Sequence, residues 1–335
     1  MTNPLLGGAK RRGVWFEYAC LLATWSALFF LAVLLLVILW QGTSHLSWEF
    51  LTSFDDRITP EKAGMLAGLW GSFWLMILTI LFAVPVGVGA AIYLEEYSAD
   101  SRLARIIQVN LSNLAGVPSI VYGILGLTVF VRTFGIFSKG ALVERLVGHH
   151  VEGLYFAFGL HIPLPLKTTV ISGALTLSLL VLPVIIVATQ EALRSVPPSI
   201  RHASLALGAT RWQTIWRQVL PASLPGIITG IILSLSRAIG ETAPLIMVGA
   251  ATFLRATPGD IETPAQMLTN PQGVMNAPFD EYTAMPIMVY NWAKQAQRAY
   301  QDIASAGIIV LVVVLLAMNG LAIFIRNRSQ QHLRW

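Results

Sequence analysis

Residues 191–221 read EALRSVPPSIRHASLALGATRWQTIWRQVLP, a polar stretch set between two long apolar runs. Pro197 and Pro198 fix φ and stop a helix arriving from upstream, so a new helix is expected after them. It would carry Ile200, Ala203 and Leu207 on one face and end at Gly208, which accepts the left-handed conformation that terminates helices. Thr210 followed by Gln213 is the reciprocal capping pattern of a second helix. Trp212, Ile215, Trp216 and Val219 recur at i, i+3, i+4, i+7, an amphipathic face, and Leu220-Pro221 is expected to close that helix. Arg194, Arg201, Arg211 and Arg217 decorate the unit, and no Asp or Glu occurs between Ala192 and Gly240. Such a helix–Gly–helix unit reads as a docking element. Its candidate contacts are Ile200, Ala203, Leu207, Gly208, Ala209, Thr210, Trp212 and Ile215.

The composition says what surrounds it. The 335 residues are 55% hydrophobic and 12% charged, against roughly 25% charged in an ordinary soluble domain. A chain so poor in charge cannot cover itself with polar surface, so a bilayer is the expected solvent for most of it. The one cysteine, Cys20, excludes an internal disulfide and argues against a thiolate metal cluster. The formal net charge of +5 means less as a total than as a distribution over the loops.

Six spans are expected, an all-α membrane protein. Residues 1–17 carry Lys10, Arg11 and Arg12, and an apolar run at 18–40 follows. That run is longer than the about 7–15 apolar residues of a secretory signal and no A-x-A-like site follows, so it reads as an uncleaved first span. The remaining domain, 64–325, holds five more: about Gly64–Leu94, Ile106–Phe134, Lys167–Thr189, Ala222–Leu254 and Gln301–Ile325. Between them lie external segments at 135–166 and 255–300, the second expected to be helical around Tyr290–Tyr300. Lys and Arg are denser per residue in 1–17, 95–105, 191–221 and 326–335 than in the opposite segments. That places both termini in the cytoplasm.

Two charges fall inside the fifth span, in LSLSRAIGETAPLIMVG: Arg237 and Glu241, at i and i+4. A charge at mid-bilayer costs roughly 2.5–3.5 kcal/mol on insertion scales, so it is expected to face a pathway or a partner. One reading is a structural ion pair. The sharper one puts Arg237 on the path of an anionic solute, oriented by Glu241, with Thr242 beside them, because a guanidinium meets phosphate oxygens bidentately at any working pH. Pro244 is expected to loosen the helix there. In the third span Gly116, Gly123 and Gly126 offer close helix packing.

The docking segment resembles the loop by which ABC-importer permeases seat on their ATPase subunits. The family pattern is Glu-Ala-Ala, three residues, Gly, nine residues, Ile, one residue, Leu-Pro. His202-Ala203-Ser204, Gly208, Gln218 and Leu220-Pro221 stand at those places, with His202 and Gln218 departing from it. GETAPL after Arg237, AGVPSIVYG from Ala115 and PIMVYNW from Pro286 resemble the permease subunits of bacterial phosphate ABC importers. The resemblance implies a type I importer permease in the bacterial inner membrane, with cytoplasmic coupling helices. It implies as partners a second permease subunit, two ATPase subunits, a periplasmic phosphate-binding protein and membrane lipid. It also implies that ATP and Mg are used by the ATPase and no cofactor is held by this chain. The sister permease type, a permease for another anion, and a self-contained secondary anion transporter remain as alternatives.

Other classes fit worse. No G-x-x-x-x-G-K-[ST] loop occurs, so the chain is not expected to hydrolyse ATP. A basic helix-turn-helix would suggest nucleic acid, but apolar runs tether this one on both sides. His149-His150 with only Glu152 nearby reads as a solvated loop rather than a metal site. No histidine falls in an expected span, which argues against an intramembrane enzyme. Arg132 is expected to snorkel from the third span. Trp40, Trp48, Trp70, Trp74 and Trp292 are expected to anchor at the interface.

Overall fold

The computed structural model describes residues 4–98, 101–132, 153–155, 161–163 and 167–330, most of them helical. The first helix, α1 (Pro4–Gly42), begins upstream of the expected span. Next comes α2 (Leu66–Ile92), which carries Pro85 and runs on into a wide π turn, Tyr93–Tyr97. The expected third span is bent rather than straight. α3 (Arg102–Ala115) and α4 (Ser119–Gly126, extended by a π turn to Arg132) meet at 109°. Pro118 cannot donate to a continuing helix and biases Val117 away from helical backbone, so the chain turns there. Gly116 lies at this bend, where a Cβ would meet only the Asn113 carbonyl at 3.5 Å; it packs against no second helix, contrary to expectation.

A two-stranded antiparallel hairpin, β1 (Gly153–Tyr155) with β2 (His161–Pro163), is the described part of the 135–166 segment. His149, His150 and Glu152 lie outside the described residues. Beyond it come α5 (Val170–Arg194), α6 (Pro198–Ala206) and α7, which starts at Arg211, includes a π turn at Ile215–Val219 and continues to Ile239. The expected stop at Leu220-Pro221 is therefore absent. The wide turn directly before Pro221 accommodates its missing donor, and the helix passes through.

The fifth span is also interrupted. α7 ends at Ile239, and a short α8 (Ala243–Val248) begins after a break, with Pro244 in its first turn. Pro244 thus starts a helix instead of loosening one. The 255–300 segment is packed, not loose: Ile261 and Tyr282 are buried, and the Val170 amide donates to the Asp280 carbonyl (3.0 Å). Its longest helix, α9 (Met285–Ala293), starts upstream of the expected 290–300 and covers only the first part of it, residues 294–297 being non-helical. The last helix, α10 (Arg298–Gln330), continues past residue 325 into the expected tail.

Among the described residues five helices are long and apolar enough to cross a membrane. There are six if the bent α3–α4 pair counts as one. α5 is the central one, burying Val170, Ala174, Leu177, Val181 and Ile185 against α2 and α7. Its contact with α7 is close because Gly226 and Gly230 face Ala192 and Ala188, where an added Cβ would stand 2.7 and 2.4 Å from the alanine methyls. Two of the expected interfacial tryptophans are core instead. Trp292 is buried and its Nε1 donates to Asp55 Oδ1 (3.0 Å), while Trp74 is buried in the packing of α2 on α5. Trp40 and Trp48 are exposed, and Trp70 donates to the Glu262 carbonyl.

Candidate functional site

The helix–Gly–helix element forms as its residues dictate. Pro198 opens α6, and Gly208 stands at φ +83°, a left-handed conformation that turns the chain. The Thr210 side chain accepts from the Gln213 amide (3.2 Å), and Gln213 Oε1 accepts from the Thr210 amide (2.9 Å), so the capping box is complete. A hydroxyl pair, Ser204 with Thr214 at 2.9 Å, ties the two helices together.

The structure places the candidate contact residues in four different surroundings. Ile200, Ala203, Leu207 and Ala209 line one cleft of about 480 Å³, and Leu207 is 89% exposed. Gly208 and Thr210 are exposed at its turn. Trp212 lies elsewhere: it stacks on Trp216 (5.5 Å between ring centroids) and lines an apolar groove with Val84, Tyr93 and Tyr97. Ile215 is buried, so it props the element from inside instead of meeting a partner. The amphipathic face read from the sequence is therefore divided, Ile215 and Val219 inward, Trp212 and Trp216 outward.

The sequence reading missed the acids that hold this basic element. Arg194 Nε lies 2.9 Å from Glu95, and Arg201 Nη2 lies 2.8 Å from Glu96. Both carboxylates sit on the π turn that ends α2. The signal was available, since a stretch with four arginines and no acid after Glu191 needs counter-charges from elsewhere, and Glu95-Glu96 end the second span on the expected cytoplasmic side.

The second group sits at the far end of α7. Arg237 occupies its last turn, where a cation is favoured by the helix dipole. Its Nε stands 3.4 Å from Glu241 Oε1; the arginine side chain is 56% exposed and the carboxylate 18%. Thr242 is half-buried at the break and precedes α8. α4 closes over this region at Gly123, where a Cβ would stand 2.7 Å from Pro244 Cα and 2.8 Å from Met247 Cβ. Arg132 is exposed at the end of α4. Among the described residues no cluster of His, Cys, Asp and Glu could hold a metal ion.

Apolar helices long enough to cross a bilayer, an exposed capped turn and a charged pair at the far end of the helix that leaves it define a multi-pass membrane protein. The chain belongs to the family of binding-protein-dependent transport system inner membrane components, whose pattern matches residues 83–334. It is similar to the probable ABC transporter permease YqgI of Bacillus subtilis, 30% identical over 83% of each chain. It also resembles the phosphate transport system permease PstC of Mesorhizobium japonicum, 33% identical over 62% of each chain, and PstA of Xylella fastidiosa, 28% identical over 81% of this chain and 79% of that one. In fold it resembles a chain of a bacterial alginate ABC transporter crystallised with its periplasmic protein, with TM-score 0.59 at 19% identity, covering 99% of this chain and 98% of the other.

Proposed function

We propose that this chain is the PstA-type permease subunit of an ATP-driven importer that carries inorganic phosphate into the cytoplasm. It would work beside a PstC-like permease, two PstB-like ATPase subunits and a PstS-like periplasmic phosphate-binding protein. ATP and Mg act at the ATPase, and both termini of this chain face the cytoplasm. The single observation that carries the reading is the continuity of α7. One helix runs from the capped turn at Thr210 to Arg237, a span of roughly 40 Å at 1.5 Å per residue. A displacement imposed at the 191–221 element therefore reaches the charged pair through a single rod, as alternating access requires.

The pair itself suits an anion. The one bond of Arg237 to Glu241 is long, 3.4 Å from Nε, so its planar fork still has donors to offer a phosphate oxygen. Relatives named for phosphate transport support the substrate. The PstC relative is the more identical, but the PstA relative aligns along more of the chain, and GETAPL and YNWA favour the PstA type.

Uptake of labelled phosphate at micromolar concentration, in cells deleted for this chain and otherwise lacking phosphate uptake systems, tests the reading. Uptake restored by the wild-type gene, with labelled sulfate uptake unaffected, is expected. Unchanged phosphate uptake on deletion would leave the fold and remove the substrate.

A further inference from the structure

We infer that Arg201 is a positioning residue that locks the docking element to α2, so that α2 moves with α6 when the ATPase subunits close. The inference rests on the proposed function and deepens it. Arg201 makes four hydrogen bonds. Nη1 donates to the Val196 carbonyl (2.7 Å), Nη2 to the Leu193 carbonyl and Glu96 Oε1 (2.8 Å each), and Nε to the same Glu96 oxygen (3.2 Å). Two of its acceptors are the carbonyls of Leu193, in the last turn of α5, and Val196, in the turn that follows it, and the third belongs to the wide turn that ends α2. One guanidinium on α6 thus holds three elements together. Both side chains of the Arg201–Glu96 pair are largely buried, 21% and 12% exposed, so water screens it less than the half-exposed Arg194–Glu95 pair beside it.

The chain enters α6 from the turn at 195–197 and leaves it at left-handed Gly208. Without the Arg201 link, α6 could rock on these without carrying α2, the helix packed most extensively against central α5. Lysine cannot replace it, because an ammonium has no planar fork with which to hold three separated acceptors.

The test uses the complete complex in liposomes, measuring phosphate moved per ATP hydrolysed. Glu96→Gln is the decisive variant, since it keeps both Arg201–carbonyl bonds and weakens only the link to α2. Glu96→Gln and Arg201→Lys are each expected to lower the ratio by roughly tenfold, within the usual range of coupling energies. Arg194→Lys should leave it near wild type. A wild-type ratio in Glu96→Gln overturns the inference even if Arg201→Lys fails, because Arg201 would then only cap α5. If the wild-type complex moves no phosphate, the substrate reading fails instead. The link is then read from spin labels at Ala206→Cys and Leu81→Cys on a Cys20→Ser background. Their separation should be unchanged by ATP trapping in the parent and shifted in Glu96→Gln; the same separation in both overturns the link.

Discussion

Arg237 and Glu241 are bridged at 3.4 Å, yet only Arg237 is in a helix. Glu241 lies just beyond the last turn of α7, with its amide donating to the Ala238 carbonyl (3.2 Å). The i, i+4 spacing survives because the break begins as one more turn of bonded backbone. The carboxylate therefore sits just outside the helix end, and the guanidinium in its last turn.

Arg237→Gln should lower phosphate uptake at least tenfold with unchanged protein in the membrane. The side chain is 56% exposed and its bond to Glu241 is long at 3.4 Å, so the substitution takes little from the packing of the chain. Glu241→Gln should cost less, since it keeps the helix end and removes only the competitor for Arg237. Uptake kinetics alongside immunoblots of membranes check both. Equal uptake by wild type and Arg237→Gln would make the pair scaffolding.

Gly208 is strained for any other residue by its backbone alone. Its φ is +83°, and an added Cβ would meet nothing within 4 Å. A β-branched residue there should cost more than the about 1–2 kcal/mol typical of a left-handed L-residue, and asparagine less. Gly208→Val is expected to lower ATPase co-purification and uptake together, Gly208→Asn only slightly. Gly208→Asp with full ATPase binding and transport would remove the 191–221 element from the coupling path.

Much of this was legible in the sequence because capping, left-handed glycines and apolar run lengths are local properties. Thr210 with Gln213, Gly208, and the pairing of Arg237 with Glu241 stand as read, although Glu241 lies beyond the helix end and not on a shared helix face. The misses are tertiary. Pro221 lacks a donor in any helix, but the preceding π turn absorbs the defect, and no pattern in the residues announces a π turn. Trp292 looks like an interfacial anchor until Asp55, far away in the chain, offers its indole nitrogen a buried acceptor. Ile215 and Trp212 belong to one helical face by periodicity. Which part of that face turns inward is a tertiary matter: Val219, on the same face, packs against Leu193 and Val196.

At Gly123 the crossing of α4 over α8 leaves no space for a side chain, the nearest atoms including Pro244 backbone at 2.7 Å. Gly123→Val should cost about 1–3 kcal/mol by overpacking and lower both membrane abundance and uptake. Gly116→Ala has room at the α3–α4 bend and should be tolerated. Comparable abundance of the two variants in membranes would contradict the close crossing.

Asp55 is buried beneath Trp292, and burial raises its carboxyl above the ordinary value of 3.8. Between 3.8 and that raised value the folded state binds more protons than the unfolded one, so the Asp55 contribution to stability falls as pH rises, then levels off. Asp55→Asn keeps an acceptor for the indole and removes the titration. The melting temperature of wild type should therefore drop relative to Asp55→Asn as pH rises through this window. A gap independent of pH would contradict the burial.

The most direct measurement is ATP-driven phosphate accumulation in liposomes. It compares the purified complex, supplied with the phosphate-binding protein outside and ATP on the ATPase side, with this chain alone. The complex should concentrate labelled phosphate only when ATP and binding protein are both present, and the chain alone should carry none. Phosphate movement by the chain alone, or a complex whose ATP hydrolysis answers to a different anion, would contradict an energy-coupled phosphate permease.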